Sequence, residues 1–207
     1  ATTGLATMVI GAWISLFKDD LKGLLAHSTV SQLGLMTLLF GLGTPLAAVA
    51  GVFHILNHAT FKCALFMTAG IVDHEAGTRD ARRLGGLAAL MPITATIATI
   101  AGFASAGLPP FNGFLSKEMM LEQAEYTVWA GNPWIFPALA TLGALFSVAY
   151  SLRYVFHVFF GPQRDDYPHH PHDPPVGMYL PPAFLAFLVV LIGLLPALVV
   201  QPLIEVV

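Results

Sequence analysis

Apolar segments long enough to cross a lipid bilayer follow one another along most of the chain. A helix needs about 20 largely apolar residues to cross the hydrocarbon core of a membrane. Six segments meet this condition, and the fourth is interrupted by Gly107-Leu108-Pro109-Pro110-Phe111-Asn112-Gly113. They lie near residues 3–17, 24–42, 45–72, 87–121, 133–160 and 178–200. The sequence therefore predicts an all-α, polytopic transmembrane helix bundle of six spans, one of them discontinuous at 107–113.

The small share of charged residues excludes a water-soluble domain of this size. Of the 207 residues, 56% are hydrophobic and 10% are charged, whereas soluble domains carry roughly 25% charged residues. The net charge of −3 gives no sign of a nucleic-acid partner. The one cysteine, Cys63, lies in an apolar run, which excludes a disulfide framework and a cysteine metal site. No nucleotide-binding loop or catalytic triad is visible, so we predict that the chain is not an enzyme.

The chain opens inside its first predicted helix. It begins Ala1-Thr2-Thr3-Gly4-Leu5, without Met and without the basic segment of a signal peptide. We therefore expect an upstream part that lies outside this sequence. Because most connections between the spans are short, we expect residues 1–207 to form part of one domain.

Lysine and arginine are distributed unequally between the two sides of the predicted bundle. Alternating spans place loops 18–22, 73–86 and 161–177 on one side, and these loops contain six of the nine Lys and Arg residues. The opposite loops, 43–45 and 127–132, contain none. Because positive residues accumulate on the cytoplasmic side of a membrane protein, we predict that the first three loops are cytoplasmic.

Three basic side chains are predicted to lie on one face of the third span. His54, His58 and Lys62 are spaced four residues apart, which places them along one side of an α-helix. Lys62 falls near mid-membrane, where a charge costs at least about 2.5–3.5 kcal/mol. Histidine titrates near neutral pH and a desolvated lysine can approach that range, so these groups are predicted to carry protons. The alternative is that they only hydrogen-bond neighbouring helices and hold the bundle together.

The interrupted fourth span is typical of an ion or substrate site. Pro109 and Pro110 remove two backbone donors and break the helix, and discontinuous helices of this kind form binding sites in transporters. Lys117 follows the break, in the expected first turn of the second half-helix, where the helix dipole disfavours its protonated form. We predict that Lys117 gives up a proton, with Glu118 or Glu122 as its acidic partner. The alternative is an ordinary loop with a solvated lysine.

Several other polar residues are weaker candidates. Arg153 lies within the fifth span, where it is expected to pair with a carboxylate elsewhere in a complex or to extend toward the cytoplasmic end. The His169-His170-Pro171-His172 tract has no fixed helical geometry and no thiolate, so no metal site is predicted there. The remaining candidates for a supporting role lie at the cytoplasmic end of the second span: Asp20, Lys22 and His27.

Three motifs resemble those of one protein family. Residues 20–34, DLKGLLAHSTVSQLG, resemble the DLKRLLAYSTISQLG signature of antiporter-like subunits, with His27 where much of the family has Tyr. Residues 57–62, NHATFK, are similar to the H-A-x-F-K helix, and residues 108–118, LPPFNGFLSKE, to the LPPFxGFxSK break. Such subunits occur in respiratory complex I, membrane-bound hydrogenases and Mrp-type antiporters. Residues 70–80, GIVDHEAGTRD, resemble the large A-type component of Mrp-type Na⁺/H⁺ antiporters.

The resemblance implies a function and a set of partners. It implies that the chain is the second half of one antiporter-like domain in the plasma membrane, where proton influx drives Na⁺ export. His54, His58, Lys62 and Lys117 would form the second half-channel of a proton path, and the first half-channel would lie upstream. The implied partners are other subunits of the complex, membrane lipids, H⁺, and Na⁺ or K⁺, with no bound cofactor.

Two other classes of function remain open from the sequence. One is a redox-driven pump subunit of complex I or of a hydrogenase, in which electron transfer drives the same proton path. The other is a purely structural scaffold. Dependence of transport on NADH would favour the first, and normal transport after replacement of both Lys62 and Lys117 would favour the second.

Overall fold

The computed structural model describes residues 1–129, 131–164 and 166–205, and the regular structure in these ranges is helical. Within these ranges eight α-helices follow one another, with two short 3₁₀ turns, Ala81–Arg83 and Leu87–Ala89, between the third and the fourth. The predicted all-α, polytopic helix bundle is confirmed. The helices are α1 (Thr2–Leu16), α2 (Leu21–Leu42), α3 (Pro45–Ala76), α4 (Pro92–Ala106), α5 (Asn112–Glu125), α6 (Ile135–Leu152), α7 (Val176–Leu194) and α8 (Ala197–Glu205).

Four helical segments in the described residues are long and apolar enough to cross a membrane: Leu21–Leu42, Pro45–Ala76, Ile135–His157 and Val176–Leu194. Two shorter apolar helices, α1 and α4, correspond to the first predicted span and to the first half of the fourth. The sixth span ends earlier than the predicted residue 200. Helix α7 stops at Leu194 because Pro196 has no backbone N–H group to continue it, and α8 follows as a separate helix.

The fourth span is discontinuous as predicted. Helix α4 ends at Ala106, where Gly107 adopts a left-handed φ of 82°, and α5 begins at Asn112. Helix α5 runs antiparallel to α3, because Gln123 accepts a hydrogen bond from Thr44 and Asn112 donates one to Thr60. Since Thr60 is close to the middle of the 32-residue helix α3, the break lies in the middle of the bundle.

Helices α1 and α2 pack with their backbones in direct contact. A Cβ atom at Gly34 would lie 2.4 Å from the backbone nitrogen of Met8, and one at Gly4 would lie 2.3 Å from that of Leu38. Small residues permit this close approach of helices in membrane proteins. The glycines of both helices are therefore needed for the shape of this pair.

The loops that carry most of the cations meet at one end of the bundle. Asp20 forms a 2.5 Å ion pair with Arg79, and Lys22 forms a 2.8 Å pair with Asp73. Loop 161–177 joins them through the Tyr167 hydroxyl, which donates to the carbonyl of Gly85. Loops 18–22, 73–86 and 161–177 therefore lie on one side of the bundle, as the alternation of the spans predicts.

An exposed ion pair stabilises the connection between α3 and α4. Asp80 accepts a 2.7 Å hydrogen bond from Arg82. That hydrogen bond, together with the positive charge of Arg82, lowers the pKa of the Asp80 carboxyl. The pair is present at neutral pH, and its contribution to stability is lost as the pH falls through the lowered pKa of Asp80.

Arg153 forms an ion pair with a carboxylate of this chain. It begins a π-helical turn, Arg153–His157, that continues α6. Its guanidinium donates to Asp19 at 2.7 Å and to the carbonyl oxygens of Leu16 and Lys18. Of the two expectations for Arg153, extension toward the end of the bundle with loop 18–22 is correct, and a partner elsewhere in a complex is not required.

Asp173 caps the N-terminus of α4 from a distant loop. Its carboxylate accepts hydrogen bonds from the backbone N–H groups of Ile93 and Thr94, both at 2.9 Å, and from the Thr94 hydroxyl at 2.8 Å. The first N–H groups of a helix have no partner within the helix. Asp173 therefore stabilises the half-helix α4 and attaches loop 161–177 to it.

We expect Asp173→Ala to destabilise this end of the bundle by about 1 kcal/mol, within the 0.5–2 kcal/mol typical of lost helix caps. The measurement is the thermal unfolding midpoint of the purified full-length complex. Asp166→Ala, in the same loop and exposed, is the matched control and is expected to leave the midpoint unchanged. Equal midpoints for the two variants would contradict the capping role.

Candidate functional site

The predicted basic side chains are buried together between α2, α3, α5 and α6. His54 is completely buried, Lys62 is 4% exposed and Lys117 is 6% exposed. His58 is half-buried, and its ring centroid lies 6.2 Å from that of His54. The helical spacing of the first three and the break before Lys117 therefore bring all four residues into one region of the bundle.

Lys62 is held by a hydroxyl group and by an aromatic ring. Its Nζ donates a 2.7 Å hydrogen bond to the Ser28 hydroxyl and lies 5.9 Å from the centroid of the Tyr150 ring. Among the described residues, no carboxylate forms an ion pair with Lys62. A buried ammonium group without a counter-ion is costly, which is unfavourable for a residue with only a packing role.

His54 is at the centre of the hydrogen-bonded network. Its Nε2 lies 2.9 Å from the side-chain oxygen of Gln32, and its Nδ1 lies 2.9 Å from the hydroxyl of Ser116. The side-chain nitrogen of Gln32 in turn donates to the Tyr150 hydroxyl at 2.7 Å. His54 therefore connects α2 to α5, and Gln32 extends the connection to the aromatic ring beside Lys62.

Lys117 reaches back across the helix break. Its Nζ donates to the backbone carbonyl of Ser105 at 2.6 Å and to the Ser147 hydroxyl at 2.5 Å. Ser105 belongs to the last turn of α4, where carbonyl groups have no partner within the helix. The negative end of the α4 dipole therefore attracts this ammonium group.

Two details of the expectation for Lys117 are wrong. Lys117 lies in the second turn of α5 rather than the first, and its ammonium contacts the C-terminal end of α4 rather than the N-terminal end of α5. Its partners are Ser105 and Ser147 rather than Glu118 or Glu122. Both glutamates are exposed and line a cleft of about 770 Å³ between α5 and α6, which Lys117 also borders.

Two buried asparagines join α3 to the helix break. Asn57 donates to the backbone carbonyl of Asn112, and the Asn112 side chain donates to the Thr60 hydroxyl, both at 3.0 Å. Both side chains are fully buried. These contacts hold the start of α5 against the helix that carries His54 and Lys62.

The supporting candidates lie apart from this network. Asp20 caps α2 by accepting a hydrogen bond from the Gly23 N–H group, and Lys22 pairs with Asp73. His27 contacts the carbonyl of Gly23 within its own helix. These residues stabilise the charged end of the bundle. The imidazole of His172, in the histidine-rich tract, lies 3.4 Å from the Glu75 carboxylate.

Several network residues were not singled out from the sequence. Five of them lie in the family-like motifs at residues 20–34, 57–62 and 108–118, and the other three are polar residues within apolar spans. Their connections depend on how the helices are rotated against one another. These residues are Ser28, Gln32, Asn57, Ser105, Asn112, Ser116, Ser147 and Tyr150.

The sequence matches one protein-family model, which describes a transmembrane segment of the NADH:quinone oxidoreductase/Mrp antiporter family, over residues 1–147. It is 54% identical over 201 residues to the A/B component of a probable K⁺/H⁺ antiporter of Rhizobium meliloti, covering 96% of this chain and 20% of that protein. It is 44% identical over 220 residues to the A component of the Na⁺/H⁺ antiporter of Bacillus subtilis, covering 98% of this chain and 28% of that protein.

Solved structures share the fold. A chain of the Mrp complex from Dietzia sp. superimposes with a TM-score of 0.86 and 38% identity, covering 98% of this chain and 22% of that one. A chain of respiratory complex I from Thermus thermophilus superimposes with a TM-score of 0.82 and 29% identity, covering 98% and 42%. The chain thus spans less than half the length of each of these four proteins.

Proposed function

The chain belongs to the transmembrane family shared by NADH:quinone oxidoreductases and Mrp antiporters, and we propose that it is the second half of one antiporter-like domain in the A-type component of a cation/proton antiporter. Two A-type antiporter proteins are 54% and 44% identical to it over nearly its whole length. Such a domain is part of a transporter rather than an enzyme. Its partners are the other subunits of a multisubunit complex.

The burial of Lys62 and Lys117 without carboxylate partners is the observation that carries this proposal. Among the described residues, the hydrogen bonds of their Nζ atoms go to hydroxyl and carbonyl oxygens. Ionisable residues at membrane depth usually face a bundle interior and belong to ion or proton pathways. A scaffold would gain more from apolar residues at these positions, because a buried unpaired ammonium group destabilises a helix bundle.

The proton path runs from Lys62 to Lys117. Ser28 and Tyr150 surround the ammonium group of Lys62, and Gln32 joins Tyr150 to His54. The half-buried His58 lies between His54 and Lys62 on the same face of α3. Lys117 is the far end of the proposed path, and it borders the cleft between α5 and α6.

The complete route requires parts of the protein outside this sequence. The first half-channel is upstream, and the end with loops 18–22, 73–86 and 161–177 faces the cytoplasm in the plasma membrane. The exchanged cation is Na⁺ or K⁺, since the two A-type relatives differ in the cation that their names give.

Cation-driven proton movement by the full-length complex in proteoliposomes tests this function. We expect addition of Na⁺ or K⁺ on one side to move protons in the opposite direction, followed by a pH-sensitive dye inside the vesicles, without any electron donor. The cation that produces the larger signal identifies the exchanged ion. Proton movement that required NADH, or stopped with an inhibitor of quinone binding, would instead support a redox-driven pump.

A further inference from the structure

Gln32 occupies the junction between the two lysine-containing parts of the site. It is 2% exposed and lies on α2, opposite the helix that carries the histidines. Its side-chain oxygen contacts His54 and its side-chain nitrogen donates to Tyr150. No direct hydrogen bond joins it to Lys117 in the part of the chain that the structure describes.

A small internal cavity separates Gln32 from Lys117. It has a volume of about 10 Å³ and is bordered by both residues and by Ser147. A cavity of roughly 10–15 Å³ is the smallest that holds one water molecule, which needs two or more polar partners. The cavity is therefore large enough for a single water molecule and too small for a hydrated cation.

Lys117 and Gln32, which both border this cavity, each have unused hydrogen-bonding capacity among the described residues. An ammonium group has three donors, and Lys117 uses two of them, on Ser105 and Ser147. An amide oxygen has two lone pairs, and that of Gln32 contacts only His54. One water molecule can accept from the third N–H of Lys117 and donate to the second lone pair of Gln32.

We propose, on the basis of the proton path above, that one water molecule occupies this cavity and that Gln32, as a positioning residue, couples Lys117 to the protonation of His54. The charged Lys117 orients the water so that a hydrogen points at Gln32. The water then favours the amide orientation in which the oxygen faces the cavity and His54. If the amide were reversed, its N–H group would point at this hydrogen of the water molecule, and the two donors would repel each other.

This orientation selects the nitrogen through which His54 exchanges its proton. Because the Gln32 oxygen is the acceptor, Nε2 of His54 carries a hydrogen and donates it to Gln32. Nδ1, which faces the Ser116 hydroxyl, is the free base. A proton from the path enters and leaves His54 at Nδ1 through the Ser116 hydroxyl, which gives up its own hydrogen as it receives another. The Nε2–H bond neither forms nor breaks.

The tautomer of His54 tests this proposal. We would record ¹⁵N spectra of histidine-labelled full-length complex and assign the His54 signal by its loss in His54→Gln. The expected result is an Nε2–H tautomer in the unmodified protein and a mixture of tautomers in Gln32→Leu, which keeps the volume and removes the amide. Gln201→Leu, on exposed α8, is the matched control and should leave the signal unchanged.

Two further measurements keep the proposal falsifiable. If Gln32→Leu does not assemble, Tyr150→Phe removes the hydroxyl that accepts from the Gln32 amide and is expected to give the same mixture. A density map of the full complex should show one water within about 2.7–3.2 Å of Lys117 Nζ and of the Gln32 oxygen. An unchanged Nε2–H tautomer in Gln32→Leu, or a cavity without water, would overturn the proposal.

Transport of the same variants separates this proposal from the proposed function. We expect Gln32→Leu to slow cation-driven proton movement several-fold without abolishing it, because every proton carrier is still present. Normal transport in Gln32→Leu with an altered tautomer would refute the coupling role alone. Normal transport in Lys62→Ala and Lys117→Ala would refute the proton path, whatever the tautomer of His54.

Discussion

Lys117→Ala is expected to abolish cation-driven proton movement by the full-length complex, leaving only the signal of protein-free vesicles. Lys117 is buried at the helix break, where its ammonium group donates to Ser105 and Ser147. Alanine at this position removes both the exchangeable proton and the contact across the break. The measurement is the initial rate of dye response after a Na⁺ or K⁺ jump, normalised to the amount of assembled complex.

Lys117→Arg separates a proton carrier from a fixed charge. Arginine keeps a positive charge and can donate to the same oxygens, but it does not release a proton in proteins. We therefore expect this variant to assemble and to be as inactive as Lys117→Ala. Lys18→Ala, in the loop between α1 and α2, is the lysine control and should transport normally. An active arginine variant would show that only the charge of Lys117 is needed.

The second large effect is expected from Gly34→Ala, which should prevent stable packing of α1 against α2. The added methyl group would lie 2.4 Å from the backbone nitrogen of Met8 and 2.8 Å from the carbonyl oxygen of Gly4. Because these are backbone atoms, no side chain can move aside and the helices must separate. Overpacking typically costs about 1–3 kcal/mol, and we expect a value at or above the upper end of this range.

Gly70→Ala is the matched control for this packing prediction. Gly70 is also within a helix, but a Cβ atom there would meet no atom outside its own helix backbone within 4 Å among the described residues. Since alanine is favoured over glycine within a helix by about 1 kcal/mol, this variant should be at least as stable as the original. Thermal unfolding midpoints and the yield of assembled complex measure both variants. Equal stability of Gly34→Ala and Gly70→Ala would contradict the observed packing.

Most of the fold was predictable from the sequence, because apolar length and helix-breaking residues are local signals. The break at 107–113 follows from Pro109 and Pro110, and the long third span from an uninterrupted apolar run. The separate helix α8 was not predicted, because Pro196 lies in a run that remains apolar on both sides. Apolar composition alone does not distinguish one long helix from two.

The candidate site was predictable only in part. His54, His58 and Lys62 share a helix face by spacing alone, and their proximity follows from the sequence. Lys117 was placed correctly beside a helix break, but its contact with α4 depends on a side chain that reaches backward along the bundle. The position of Gln32 beside His54 depends on the rotation of two helices about their axes, which a single sequence does not specify.

Helix α4 connects the end of the bundle that carries loop 161–177 to the helix break as a nearly rigid rod. Its 15 residues span about 22 Å, with the Asp173 carboxylate bound at one end and the Ser105 carbonyl near the other. A helix transmits axial displacement with little compression, and shifts of about 1–2 Å are common in switching proteins. A displacement of loop 161–177 would therefore move the Ser105 carbonyl oxygen, which accepts the hydrogen bond from Lys117, by a similar distance. That amount is enough to break a 2.6 Å hydrogen bond, so α4 couples the position of loop 161–177 to the contact between Lys117 and Ser105.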